Sequence, residues 1–208
     1  MSQSNLAQAE KLYTVEEYLA FERESLEKHE YIDGRIIPLH GDYETPTAMA
    51  GASRKHNLIG TNIGTEIRFQ LKGKDCETYI SDMRVRTKPN RYGYPDVVVV
   101  CGEPNFADNE FDILLNPTVL VEVLSPSTRF RDKTEKLEIF QKMESLKECL
   151  LVEQTEMRVE HYIKQTPKQW LLRIYEDAEE MINLASIGCE ISLTDIYAQI
   201  KFENVEEN

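Results

Sequence analysis

YPDVVVVC at residues 94–101 and TVLVEVLS at 118–125 are the most hydrophobic strand-like runs of this chain, and each carries one acid, Asp96 and Glu122. Runs of valine and leucine with no polar alternation read as strands buried on both faces, at the centre of a sheet. An ionised carboxylate taken out of water without a partner costs on the order of several kcal/mol. Two acids on neighbouring core strands therefore need company. A shared divalent cation is the simplest partner, and a buried salt bridge to nearby Arg or Lys is the alternative.

Outward from these strands, the chain alternates helical and extended patterns. TVEEYLAFERESLEK (14–28) opens with Thr14 and Glu17 at capping-box spacing and predicts a helix. Asp33-Gly34 in HEYIDGRIIPLHGD predicts a tight hairpin turn. Residues 42–53 read as a loop, and Ile59, Ile63 and Ile67 place a core helix over 54–71 with His56 on the same stripe. On that helix Gly60 and Gly64 would permit close approach of another element, and Gly73 ends it. ETYISDMRVRT (77–87) reads as one strand, KPNRYG as a turn, and 102–117 as an irregular connection. SPST (125–128) supplies cap chemistry for a helix over 129–146; ECLLVE, RVEHYIKQ and QWLLRIYE are three further strands, and SLTDIYAQI a short closing helix. The order implies an α/β (α+β) fold, a mixed central β-sheet flanked by helices with an N-terminal helix and β-hairpin. One domain is expected, between a polar start and an acidic tail.

The 208 residues carry 24 Lys and Arg against 37 Asp and Glu, a formal charge of −13 that argues against a generic nucleic-acid-coating surface. The basic residues are clustered, however. Arg84, Arg86, Lys88 and Arg91 precede Asp96, and Arg129, Arg131, Lys133 and Lys136 follow Glu122. Brought together they would form a positive rim on an acidic body; apart, they are solvated loop charge. No run approaches the roughly 20 apolar residues of a membrane span, and MSQSNLAQAEKL lacks the apolar core of a signal peptide. A cytoplasmic protein is expected. Cys76, Cys101, Cys149 and Cys189 form no CxxC or Cys/His cluster and are expected to be buried reduced thiols.

On the helix after Glu122, Leu137, Ile139, Phe140, Met143 and Leu146 form an apolar arc, with Lys136 near its middle and Lys133 toward one edge. Such a lysine snorkels to water or reaches the two acids from a helix packed over their strands. Two acids and a lysine suit phosphodiester hydrolysis. The acids would hold Mg²⁺, a hard oxygen-seeking cation, with Mn²⁺ as substitute, and the lysine would position the water. No GxSxG, P-loop, GxGxxG or HExxH supports other chemistries.

HEYIDGRI, the helix with His56, SDMRVR, YPDVVVV, VEVLSPST and the Asp132-to-Lys136 D-x-x-x-K together resemble the Uma-two-type restriction endonuclease family of the PD-(D/E)XK nuclease superfamily. The resemblance covers residues 12–200 as one restriction-endonuclease-like domain, leaving 1–11 as a flexible start and 201–208 as a tail. It implies a Mg²⁺-dependent endonuclease acting on DNA, with Asp96 and Glu122 as metal ligands and Lys136 as the catalytic lysine. It also adds Glu30 as an assisting acid, and His56 as a candidate catalytic residue. The chain departs from the superfamily pattern at Leu124, which stands where a lysine two residues after Glu122 is usual. The lysine would come from the next helix, with Lys133 as fallback. A catalytically inactive module binding nucleic acid or a protein partner is the competing reading, and a homodimer, with Trp170, Tyr175 and the late strands as its interface, is compatible with either.

Overall fold

A computed structural model of the protein describes residues 11–39, 53–125, 133 and 137–202. Helix α1 (Val15–Glu24) begins at the expected capping box: the Glu17 N–H donates to Thr14 Oγ1 at 3.1 Å, and the Thr14 N–H donates to the Glu17 carboxylate at 2.8 Å. The two bonds satisfy amide donors that the first turn leaves without partners. The helix stops at Ser25 rather than running to Lys28. Strands β1 (His29–Ile32) and β2 (Arg35–Pro38) follow, joined through Asp33 and Gly34 at φ 49° and 93°, so the two-residue hairpin stands as read. The loop expected at 42–53 falls almost wholly outside the described residues.

Helix α2 (Arg54–Gln70) buries Ile59, Ile63 and Ile67 completely. Gly64 is needed there, because a Cβ at that position would come within 2.5 Å of Ile80 on β3 (Cys76–Ile80). The single strand expected over 77–87 is in fact two. Ser81 turns the chain at φ 61°, and β4 (Arg84–Lys88) enters a different sheet. Part of the expected KPNRYG turn is strand β5 (Arg91–Gly93), folded back on β4. The core strands β6 (Val97–Cys101) and β8 (Val119–Leu124) appear as predicted, with a short β7 (Ile113–Leu114) in the connection read as irregular.

After β8, Arg129, Arg131, Asp132 and Lys136 lie outside the described residues. The helix expected over 129–146 is described as α3 (Leu137–Phe140), after which the chain continues in turns that still bury Met143 and Leu146. The three late strands are β9 (Glu148–Glu153), β10 (Val159–Thr166) and β11 (Gln169–Tyr175). A hairpin of β12 (Met181–Leu184) and β13 (Cys189–Ser192), not anticipated, precedes the closing helix α4 (Leu193–Ile196) with Ser192 as its cap.

The six-stranded sheet has the order β11-β10-β9-β8-β6-β3, mixed because β8 and β9 run parallel. A five-stranded sheet, β2-β1-β5-β4-β7, packs beside it. Alternation along the central strands assigns each side chain to a layer. Val97, Val99, Val119, Val121 and Val123 face α2 and the β12–β13 hairpin, while Val98, Val100, Leu120 and Leu124 face α3 and Val85 and Leu114 of the second sheet. The continuous valine runs are thus explained by burial on both faces. Under α1, Tyr18, Tyr31, Tyr92 and Ile113 form a third, smaller core.

The cysteine expectation needs correction. Cys149 and Cys189 are buried thiols, but Cys76 and Cys101 form a disulfide. They are direct partners in the β3–β6 register, with Cα atoms 4.0 Å apart. That antiparallel pairing joins residues 25 apart, and no local spacing announces it.

Candidate active site

Asp96 stands just before β6, at a bend, with its carbonyl accepting the Ser81 N–H at 2.8 Å. The β6–β8 register ends with Val97 set against Val121, so the pairing stops one residue after Asp96 and one before Glu122. There the main-chain ladder gives way to a side chain: the Val123 N–H donates to Asp96 Oδ2 at 2.7 Å. The other oxygen, Oδ1, lies 2.8 Å from His56 Nε2. His56 sits in the first turn of α2, whose N-cap Ser53 accepts the His56 N–H at 3.1 Å and donates to Gln154 Oε1 at 2.6 Å. Gly60, one turn further, lies beside Asp96; a Cβ there would be 4.0 Å from the Asp96 Cβ, an ordinary contact. The Asp96 and His56 side chains are 17% and 18% exposed, enough for entry from one side.

Glu122 is 5% exposed and points into a cavity that it shares with Glu30 on β1, 3% exposed. Tyr92, Tyr94, Ile139 and Phe140 supply apolar walls, and Pro95, the neighbour of Asp96, completes the rim. The Gly93 backbone runs close to Glu30, since a Cβ on it would be 3.5 Å from Oε1. The fold therefore joins Asp96 to His56 and, separately, places Glu30 and Glu122 around one cavity whose rim includes Pro95, the residue before Asp96. Among the described residues no three His, Cys, Asp or Glu side chains gather closely enough to hold a metal ion by themselves. A cation that keeps several of its waters needs only one or two carboxylates. Asp96 and Glu122 offer hard oxygen donors of the type such a cation takes, and the two hydrogen bonds to Asp96 use only part of the roughly four lone-pair sites of its carboxylate.

Lys136 lies outside the described residues. Lys133, the fallback, is held elsewhere: Nζ is 2.9 Å from Glu153 and 2.8 Å from Glu160. Burial works against its charge, but the two carboxylates outweigh burial and raise its pKa, so it stays an ammonium. Arg84 is not at the site. It is 5% exposed, donates to Tyr94 Oη at 2.8 Å, stacks against Tyr18 and Tyr94, and reaches Asp112 at 3.5 Å. The same network contains buried Glu22, which accepts from Tyr94 Oη and the His29 N–H, both at 2.8 Å. These are structural contacts tying α1 to the five-stranded sheet.

Arg86 and Lys88 on β4 behave differently. They line an open groove with Thr87, Pro89, Met143 and Ser145, where Glu144 is the one acid. Among the described residues neither joins an ion pair, whereas Arg23, Arg91, Lys133 and Arg158 all do. Thr87 lines both this groove and the Glu30–Glu122 cavity. The part of the basic rim formed by β4 is therefore adjacent to the acids.

Mixed sheets flanked by helices define an α+β fold. A crystal structure from Anabaena variabilis described as "a putative nuclease belonging to DUF820" matches this fold with a TM-score of 0.68, covering 90% of this chain and 99% of that one at 18% identity. The chain belongs to the Uma2 family, described as "Putative restriction endonuclease", whose profile matches residues 15–194. Two uncharacterized Synechocystis proteins are similar to it. One, sll1609, is 38% identical over 163 residues, 78% of this chain and 86% of its own length. The other, slr1290, is 34% identical over 188 residues, 90% and 92% respectively.

Proposed function

We propose that this protein is a Mg²⁺-dependent endonuclease that hydrolyses phosphodiester bonds in DNA. The observation that supports the reading is that Asp96, just before β6, accepts the Val123 N–H at 2.7 Å, next in sequence to Glu122 on the adjacent core strand. These two residues would hold the cation, with Mn²⁺ as a substitute. Bound there, a divalent ion polarises a phosphodiester and lowers the pKa of a water molecule.

The chain's own residues do the rest. The Val123 N–H and His56 fix both oxygens of Asp96, so its carboxylate is oriented before substrate arrives. Tyr92, Tyr94, Ile139 and Phe140 keep water away from Glu122 and Glu30, which strengthens every charge interaction in the cavity. Glu30 assists as a third acid. Lys136 positions the attacking water and offsets the charge that develops on the phosphate. Arg86 and Lys88 contact the backbone of the bound strand on its way into the site.

Cleavage of supercoiled, linear and single-stranded DNA, with RNA as comparison, tests this. Wild type cuts with Mg²⁺ and not with chelator, while Asp96→Ala, Glu122→Ala and Lys136→Ala each lose on the order of 10²-fold or more, the range for removing one group that stabilises developing charge. Equal activity in wild type and all three variants contradicts the reading. The net charge of −13, and Leu124 where a lysine two residues after Glu122 is usual, favour a second reading, a nuclease-fold module that binds nucleic acid or a protein partner without cutting. That reading predicts DNA binding, unaltered by chelator, and no cleavage.

A further inference from the structure

Strand β11, QWLLRIY, is the last strand of the six-stranded sheet and is paired only with β10 among the described residues. Alternate N–H and C=O groups along its free edge have no strand beside them. Edge strands are normally shortened, charged or interrupted by proline to prevent pairing with other chains. This one is seven residues long, has no proline, and exposes Leu171, Leu172 and Ile174 at 40%, 43% and 45%. Its one interior charge is Arg173. Apolar edges of this length are the surfaces that strand addition uses.

The sequence of the strand is self-complementary about its centre. In an antiparallel pair of two copies centred on Leu172, that residue meets its own equivalent and Trp170 meets Ile174, while Lys168, in the turn before the strand, comes opposite Glu176, just after it. Trp170, Leu172 and Ile174 share one face of the strand, so the six residues of the two copies make one apolar strip with an ion pair at each end. A two-fold axis needs this pattern, because each patch must complement itself. The ends are available: Lys168 joins no ion pair among the described residues, and the Glu176 side chain, bonded to Arg158, is 61% exposed.

We propose that β11 is a dimerisation edge, joining two copies of this chain into one continuous twelve-stranded sheet. This stands independently of the nuclease reading. Sedimentation velocity on the full-length protein tests it across a concentration series. Wild type is expected to form dimers in the micromolar range, and Leu172→Asp to be monomeric with an unchanged circular-dichroism melt, since the site is solvent-facing. Lys168→Glu and Glu176→Lys are each expected to weaken the dimer by about tenfold, and the double exchange to restore it. A wild type that stays monomeric, or a dimer that survives Leu172→Asp, overturns the proposal. Failure of the double exchange to recover affinity overturns the register centred on Leu172.

Discussion

Glu148 and His161 show how a buried charge is accommodated away from the site. His161 is fully buried, its Nε2 meets Glu148 Oε2, and the Ser186 N–H donates to Oε1 at 2.7 Å. Burial pushes the Glu148 carboxyl up, but the bonds from His161 and Ser186 outweigh it and hold the group below the usual carboxylate range. A depressed folded-state value means stability that is fully present above the ordinary carboxylate pKa and is lost as pH falls through the folded value. Denaturant melts across pH should therefore show wild type losing stability in acid, with a flatter profile for Glu148→Gln. At neutral pH that variant should be less stable by about 1–3 kcal/mol; equal acid slopes would contradict the assignment. At this scale the low exposure of the Asp96 and Glu122 side chains was legible, because Asp96 abuts a run of valines and Glu122 interrupts an apolar strand. The Glu148–His161 pair was not. Its partners are 13 residues apart on strands whose pattern is otherwise ordinary, and only the β9–β10 register reveals them.

Elements with local causes were legible too. Thr14 and Glu17 announce α1, the isoleucine stripe announces α2, and Asp33-Gly34 announces the first hairpin. Elements defined by distant pairing were not. Residues 77–87 contain enough β-formers for one strand, and the break at Ser81 exists because β3 joins β6 while β4 joins β5 and β7 in another sheet. The β12–β13 hairpin was missed because MINL and CEIS are too short to stand out from their polar surroundings. The disulfide belongs to this class, and it staples edge strand β3 to β6. Alkylation under denaturing conditions without reductant should label two cysteines, Cys149 and Cys189, and all four after reduction. Cys76→Ser is expected to lower stability by about 2–4 kcal/mol. Four labelled thiols in the unreduced protein would restore the expectation made from the sequence.

For the molecule as a whole, a net charge of −13 coexists with a local exception. Among the described residues, Arg86 and Lys88 join no ion pair, and they lie beside the cavity that holds Glu30 and Glu122. The order of motifs was sufficient to anticipate the fold class, because consecutive elements and a continuous apolar core leave few arrangements. It could not anticipate that Arg84 would be buried against tyrosines, or that Lys133 would be taken by Glu153 and Glu160, since both depend on side chains converging from separate strands. The central claim is that Asp96 and Glu122 together bind a divalent cation. Calorimetric titration of Mn²⁺ into wild type, Asp96→Asn and Glu122→Gln tests it most directly. One site is expected in wild type, weakened at least about tenfold in each variant; no binding to wild type, or equal affinity in all three proteins, would rule out a shared cation.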